Sequence, residues 1–151
     1  MGGNKKYIMI MAIDFDGTCV SHEFPNVGNE IGSIPVIKEL IKNGHKIIIF
    51  TMRSNKKEGI VPSDDKYISD KFDNYLDQAV KWFNDNDIPL FGVNQNPESV
   101  LWTDSPKPYA HLYIDDSALG CPLKTDKKIS EKPFADWGKI REYLIDNNII
   151  Q

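Results

Sequence analysis

Four short apolar runs punctuate the chain, at residues 7–15, 46–50, 89–93 and 111–114, and each is continuous rather than alternating. A strand packed on one face alternates apolar with polar residues, whereas a strand covered on both faces reads as an unbroken apolar run. The runs therefore predict parallel strands inside an α/β domain. Between the first and second, Val36, Ile37, Leu40 and Ile41 recur at helical spacing, with Ser33 placed to cap the helix and Gly44 to end it. Between the second and third, Phe72, Tyr75, Leu76, Ala79, Val80 and Phe83 repeat the pattern behind Ser69 or Asp70. A last helix is predicted from about Asp136 through Ile140, Tyr143 and Leu144. Strands alternating with helices through right-handed crossovers give a doubly wound, Rossmann-like fold, a mainly parallel sheet with helices on both faces.

Three polar stretches, 19–32, 54–67 and 117–135, read as loops, the first a short flap. In a fold of this kind ligands sit at the carboxyl ends of the strands, so these loops are placed to shape the mouth of a site. With 151 residues and 40% hydrophobic content, the chain suits one domain spanning 1–151. A net charge of -4 argues against a broad nucleic-acid or anionic-membrane footprint. No apolar stretch reaches the roughly 18 residues that span a bilayer, and the opening run is too short for a secretory signal. The expectation is a soluble, cytoplasmic protein with no membrane partner. Cys19 and Cys121 are too few for a disulfide framework and lack metal-ligand spacing, as do His45 and His111 beside the strands.

The chemistry gathers where the apolar runs end. The first closes on Asp14-Phe15-Asp16-Gly17-Thr18. Side chains alternate along a strand, so Asp14 and Asp16 project the same way while Phe15 points into the packing. One carboxylate can attack a phosphorus while the other handles a proton. Enzymes accelerate phosphate-monoester hydrolysis by up to roughly 10²¹-fold, and general acid catalysis alone contributes about 10² to 10⁴. A nucleophile, a cation and an acid must act together.

The second run ends in Thr51-Met52-Arg53, where a hydroxyl and the backbone N–H groups around Met52 can hold a phosphate oxygen and Arg53 can add a forked cationic contact. The fourth ends in Asp115-Asp116, and Lys107 lies eight residues before Asp115, where a lysine can reach the nucleophile and neutralise a phosphate. Taken singly, each feature has an ordinary structural explanation; their common place at strand ends is the stronger signal. Four converging carboxylates, Asp14, Asp16, Asp115 and Asp116, would repel by about 4 kcal/mol per pair at roughly 4 Å with an effective dielectric near 20. Such a cluster needs a cation, and Mg²⁺ fits an all-oxygen donor set that also accepts a substrate phosphate.

In this order the four motifs resemble those of the haloacid dehalogenase superfamily of phosphohydrolases, anchored over positions 7–116. The resemblance implies a phosphatase in which Asp14 is the nucleophile forming an aspartyl-phosphate, and Asp16 is the acid/base that protonates the leaving oxygen and then activates water. It implies that Thr51 and Lys107 hold the phosphoryl group, and that Gly17 and Thr18 shape and pin the turn. It further implies a Mg²⁺ ion bound by the Asp14 carboxylate, the Asp16 carbonyl and an acidic side chain of Asp115 or Asp116. The short intervals between motifs leave no room for a large cap domain. The chain is also similar to small bacterial and phage members in its run through His22, Pro25 and Gly28, and in Asp136-Trp137-Gly138.

An open, capless site suits a phosphate on a bulky carrier: a nucleotide, a nucleic-acid end or another large phosphoester. Lys124, Lys127, Lys128 and Lys132 can meet a polyanion or simply solvate a surface, and Trp102, Tyr109 and Trp137 can stack on a base or pack at the core and rim. His22 can contact substrate or serve as an ordinary loop residue. The alternative is a non-catalytic phosphoacceptor or binding module, receiver-like or a degenerate member of the same superfamily. In receivers the lysine comes last, whereas here Lys107 precedes Asp115. No protein partner is singled out, and a homo-oligomer is compatible with the sequence.

Overall fold

A computed structural model describes residues 7–55 and 74–151. The first apolar run forms β1 (Ile10–Ile13), followed by α1 (Ser33–Lys42), β2 (Lys46–Ile49), α2 (Tyr75–Asp85) and β3 (Gly92–Val93). A 3₁₀ turn (Ser99–Leu101) precedes β4 (Leu112–Ile114), and β5 (Leu123–Lys124), β6 (Phe134–Ala135) and α3 (Trp137–Asp146) complete the order. The first four strands make one parallel sheet in the order β3-β2-β1-β4. The first two runs have the predicted cause: Met11, Ala12 and Ile13 of β1 and Ile47, Ile48 and Ile49 of β2 are buried on both sides of the sheet, whereas the third and fourth runs form the edge strands, where only Ile114 is buried. Each fully buried isoleucine or methionine side chain among these contributes about 1.5–3 kcal/mol.

The helices do not divide between the two faces as expected. Val36, Ile37 and Leu40 of α1, Ala79 and Phe83 of α2, and Ile140 and Leu144 of α3 share one cluster with Met11, Ile13, Ile47 and Ile49. On the other face Ile10, Ala12 and Ile48 are closed over by Ala110, Phe91 and Tyr113. Topology explains this. Successive right-handed steps from β1 to β2 to β3 keep their helices on one side, while the return from β3 to β4 crosses the opposite side. That return, residues 94–111, contains Pro97, Pro106 and Pro108, and among the described residues it forms only the 3₁₀ turn.

Local details also depart from the pattern. Ser33 does not cap α1: its hydroxyl donates to the Cys19 carbonyl at 2.6 Å, and Gly32, at φ +95°, occupies the cap position with no side-chain bond. Gly44 does end α1, at φ +90°. Asp136 caps α3 by accepting from the Lys139 N–H at 3.2 Å. The expected cap of α2 at Ser69 or Asp70, its Phe72 and most of the 54–67 loop lie outside the described residues. The 117–135 stretch is not simply a loop. It contains the β5–β6 hairpin, whose Phe134 and Ala135 are fully buried. No described helix is long and apolar enough to cross a membrane.

Candidate functional site

The strand register sets up the site. Ile13 lies opposite Ile49 of β2 and Ile114 of β4, so Asp14, Phe50 and Asp115 leave the sheet at one level. The Asp14 N–H donates to the Ile114 carbonyl and the Phe50 N–H to the Ile13 carbonyl, each at 2.9 Å, which carries the ladder to its last rung. Beyond that edge lies a cavity of about 430 Å³ lined by Asp14, Asp16, His22, Phe24, Thr51, Met52, Arg53, Asp115, Asp116 and Ser117. The two strand-end carboxylate motifs and the Thr51-Met52-Arg53 loop thus meet where a parallel sheet places its ligands.

One wall is acidic. Carboxylate oxygens of Asp14, Asp115 and Asp116 all lie within 4.8 Å of one another. Thr18 ties two of them together, Asp14 and Asp116. Its hydroxyl oxygen accepts the Asp116 N–H at 2.9 Å and sits 2.9 Å from Asp14 Oδ2 and 3.0 Å from Asp116 Oδ1, so its single proton serves one carboxylate at a time. Gly17, at φ +85°, passes directly under Asp116, and a Cβ there would stand 2.4 Å from Asp116 Oδ2. That close approach is what requires the glycine. The turn is braced from outside by the Ala135 N–H donating to the Gly17 carbonyl at 2.9 Å and by Trp137 Nε1 donating to the Thr18 carbonyl at 2.6 Å. Trp137 is therefore core and not a stacking platform.

Burial pushes the Asp14 carboxyl up to about 8; its hydrogen bond with Thr18 opposes this, and Asp115 and Asp116 reinforce it. Among the described residues lining the cavity, no cation offsets this, since Arg53 is committed to Asp16. Three hard oxygen donors converging on one point, one of them desolvated, fit a metal ion, which would lie between Asp14, Asp115 and Asp116.

The opposite wall carries its own cation. Arg53 grips Asp16 with both arms of its fork, Nε to Oδ2 and Nη2 to Oδ1, each at 2.8 Å. Its remaining donors reach the carbonyls of Asn26 (2.8 Å), Tyr75 (3.2 Å) and Pro25 (3.4 Å). A guanidinium has five N–H donors, and all five are placed. The group also lies 5.1 Å from the ring centroids of both Phe15 and Phe24. Arg53 is thus held away from the forked phosphate contact expected of it.

The Thr51 loop is partly self-contained as well. The Thr51 N–H donates to Asn94 Oδ1 at 2.7 Å, and the Arg53 N–H to Thr51 Oγ1 at 3.1 Å, so these two N–H groups are not open to a phosphate. The Thr51 hydroxyl proton remains, and the Met52 side chain is 97% exposed at the rim. Lys107 does not line the cavity. Its Nζ lies 5.1 Å over the Tyr113 ring, and Tyr113 belongs to the opposite face of the sheet. The Pro106-Lys107-Pro108 frame and the alternation of β4 carry it there.

His22, Phe24 and Ser117 join the site from the flap and the end of β4, and none of them is part of the four-motif set. His22 Nδ1 is buried with no partner among the described residues. The flap is tightly folded. Ser21 N–H donates to the Asn29 carbonyl at 2.9 Å, Asn29 N–H to Ser21 Oγ at 2.8 Å, and a Cβ on Gly28 would meet the Ser21 carbonyl oxygen at 1.9 Å. It leans on the hairpin tip through Ser130 Oγ donating to Glu23 Oε1 at 2.7 Å. Their signal in the sequence is their place in the 19–32 and 117–135 stretches that are expected to shape the mouth of the site. Of the aromatic residues considered for stacking, Trp102 and Tyr109 line a separate hollow near His111.

No family model matches the chain, and no curated protein does. A solved structure of a conserved protein from Bacteroides thetaiotaomicron is similar to it, with 27% sequence identity and a TM-score of 0.66 over 94% of this chain and 93% of that one. The likeness extends the parallel α/β architecture to a second protein over nearly the whole of both chains.

Proposed function

We propose that the chain is a Mg²⁺-dependent phosphomonoesterase of the haloacid dehalogenase type, acting through an aspartyl-phosphate on a nucleotide, a nucleic-acid end or another bulky phosphoester. The observation that carries this reading is the convergence of Asp14, Asp115 and Asp116 within 4.8 Å at the ends of adjacent parallel strands, with Asp16 in the same cavity. In the first step an Asp14 oxygen bonds to phosphorus as the ester P–O bond breaks, and Asp16 gives its proton to the leaving oxygen. In the second, a water oxygen attacks phosphorus while Asp16 takes the water proton, and the Asp14–phosphorus bond breaks to release inorganic phosphate. The Thr51 hydroxyl donates to a phosphoryl oxygen. Bound Mg²⁺ would supply the positive charge that the acidic wall and the phosphate lack. Lys107 is given no part.

Phosphate release from a panel of mononucleotides, 3′- and 5′-phosphorylated oligonucleotides, phosphopeptides and sugar phosphates tests the reading. Turnover should require Mg²⁺, and Asp14→Asn should lower it by roughly 10³-fold or more. Equal turnover by the variant would reject the mechanism. One observation favours a second reading, a phosphoacceptor without ester turnover: both Asp16 oxygens already accept from Arg53. A long-lived phosphate on Asp14 after exposure to acetyl phosphate, with no ester hydrolysed, would select it.

A further inference from the structure

We infer that Arg53 is a positioning residue for Asp16, fixing the plane of its carboxylate and making that orientation depend on the seating of the flap. The inference rests on the phosphomonoesterase reading. Its basis is the full use of the guanidinium. Two donors hold the two Asp16 oxygens at 2.8 Å each, which fixes the carboxylate in plane and in rotation. A carboxylate offers about four acceptor positions, so each oxygen keeps one where a proton taken up from solvent can sit without breaking the Arg53 contacts and from which it can pass to a leaving group.

The other donors hold the Pro25 and Asn26 carbonyls of the flap and the Tyr75 carbonyl at the start of α2. The Phe24 ring, also on the flap, lies against the guanidinium. One side chain therefore ties β2, the first carboxylate motif, the flap and α2 together at the mouth of the cavity. Stability alone is a weak reason for such a group. A buried ion pair gives little net stabilisation over apolar packing of the same volume. Orientation of a proton-transferring carboxylate is a use that apolar packing cannot replace.

The bond changes say what to measure. As Asp14 bonds to phosphorus and the ester P–O bond breaks, an alkoxide leaving group must receive the Asp16 proton, whereas a nitrophenolate departs stably without it. Benzyl phosphate and 4-nitrophenyl phosphate offer these two leaving groups at similar size. With Mg²⁺ present, Asp16→Asn should lower turnover of benzyl phosphate by about 10²–10⁴-fold and affect 4-nitrophenyl phosphate much less. Arg53→Lys keeps the charge but loses the fork. It should lower the benzyl-to-nitrophenyl ratio by roughly 10²-fold, the scale set by about 1 Å of misplacement. In the Asp16→Asn, Arg53→Lys double variant the ratio should not move beyond that of Asp16→Asn alone.

A purely structural role predicts something else: both substrates falling together in Arg53→Lys, in proportion to the folded fraction. That result, or a further shift of the ratio in the double variant, overturns the inference. If Arg53→Lys does not fold, Phe24→Leu carries the test, because it removes one flanking ring at a half-exposed position. A several-fold drop in the ratio then supports the inference, and an unchanged ratio overturns it. Wild-type protein that hydrolyses only 4-nitrophenyl phosphate overturns it too, since Asp16 then does no acid work. Wild-type protein that hydrolyses neither ester rejects the phosphomonoesterase reading itself, and the inference with it.

Discussion

Asp14 and Asp16 leave the same strand end two residues apart and facing the same cavity, yet they stand in opposite electrostatic conditions. Asp14 shares its wall with Asp115 and Asp116, and its burial and their charges push its carboxyl up to about 8. Asp16 faces Arg53, whose fork matches it oxygen for oxygen. Among the described residues, the cavity lining supplies a cation for one carboxylate and none for the other. That deficit is where the proposed metal ion would bring positive charge, and the matched pair is the carboxylate whose orientation the proposed role of Arg53 fixes.

The sharpest way to break this contrast is to remove the built-in cation. Arg53 is 1% exposed and Asp16 13%, so Arg53→Met leaves a largely buried carboxylate with no counter-charge and three backbone carbonyls without donors. A loss of about 3–5 kcal/mol in unfolding free energy is expected. Arg141 and Glu39 form an equally short pair on the surface, 47% and 32% exposed, and Arg141→Met should cost far less, because solvent screens the pair. Urea titrations of the two variants measure both. Similar losses at the two sites would show that the Asp16 pair is solvated, and the contrast between the walls would fail.

The acidic wall makes the opposite prediction, one that depends on pH. The Asp14 carboxyl titrates near 3.8 when unperturbed and about 8 in the folded chain. Between those values the folded state holds a proton that the unfolded chain has released, so stability is present at low pH and is lost as pH rises toward 8. The slope should approach about 1.4 kcal/mol per pH unit without metal. A cation bound there replaces the proton, so stabilisation by Mg²⁺ should grow over the same range. Unfolding midpoints at pH 5 to 8, in chelator and in Mg²⁺, read this out, and Asp14→Asn should flatten the chelator series. An unchanged slope in that variant would assign the effect to other groups.

Much of this was legible in the chain because it is local. The unbroken apolar runs of β1 and β2 mark strands covered on both faces, and Gly44 and Asp136 bound their helices as turn and cap chemistry require. The strand ends that bear Asp14, Asp115 and Thr51 follow from the same pattern, since parallel strands in register bring their carboxyl ends together. What was not legible depends on partners distant in sequence. Arg53 looks like a phosphate ligand beside Thr51, and only folding brings Asp16, 37 residues away, and the flap carbonyls to its five donors. Ser33 has a capping side chain, but the Cys19 carbonyl claims it. The β5–β6 pair has two residues per strand, too few for periodicity to show, and is held by the core that Phe134 and Ala135 enter. That no described helix packs on the second sheet face follows from crossover handedness combined with a proline-broken return segment.

Lys107 gives the smallest expected effect and the finest test of the contrast between the walls. Among the described residues lining the cavity, Arg53 is the one lysine or arginine, and its donors are all engaged. If Lys107 stays over the Tyr113 ring at 5.1 Å, binding of a phosphoester rests on Thr51 and on a metal ion at the acidic wall. Lys107→Ala should then change the KM of the best substrate by less than about threefold at saturating Mg²⁺. Its stability should stay within about 0.5 kcal/mol of the parent, since only an exposed cation–π contact is lost. Steady-state kinetics at several Mg²⁺ concentrations decide the matter. A hundredfold loss that more Mg²⁺ fails to restore would mean that the proline-flanked segment swings the lysine onto the phosphate, and that the acidic wall receives a protein cation after all once substrate is bound.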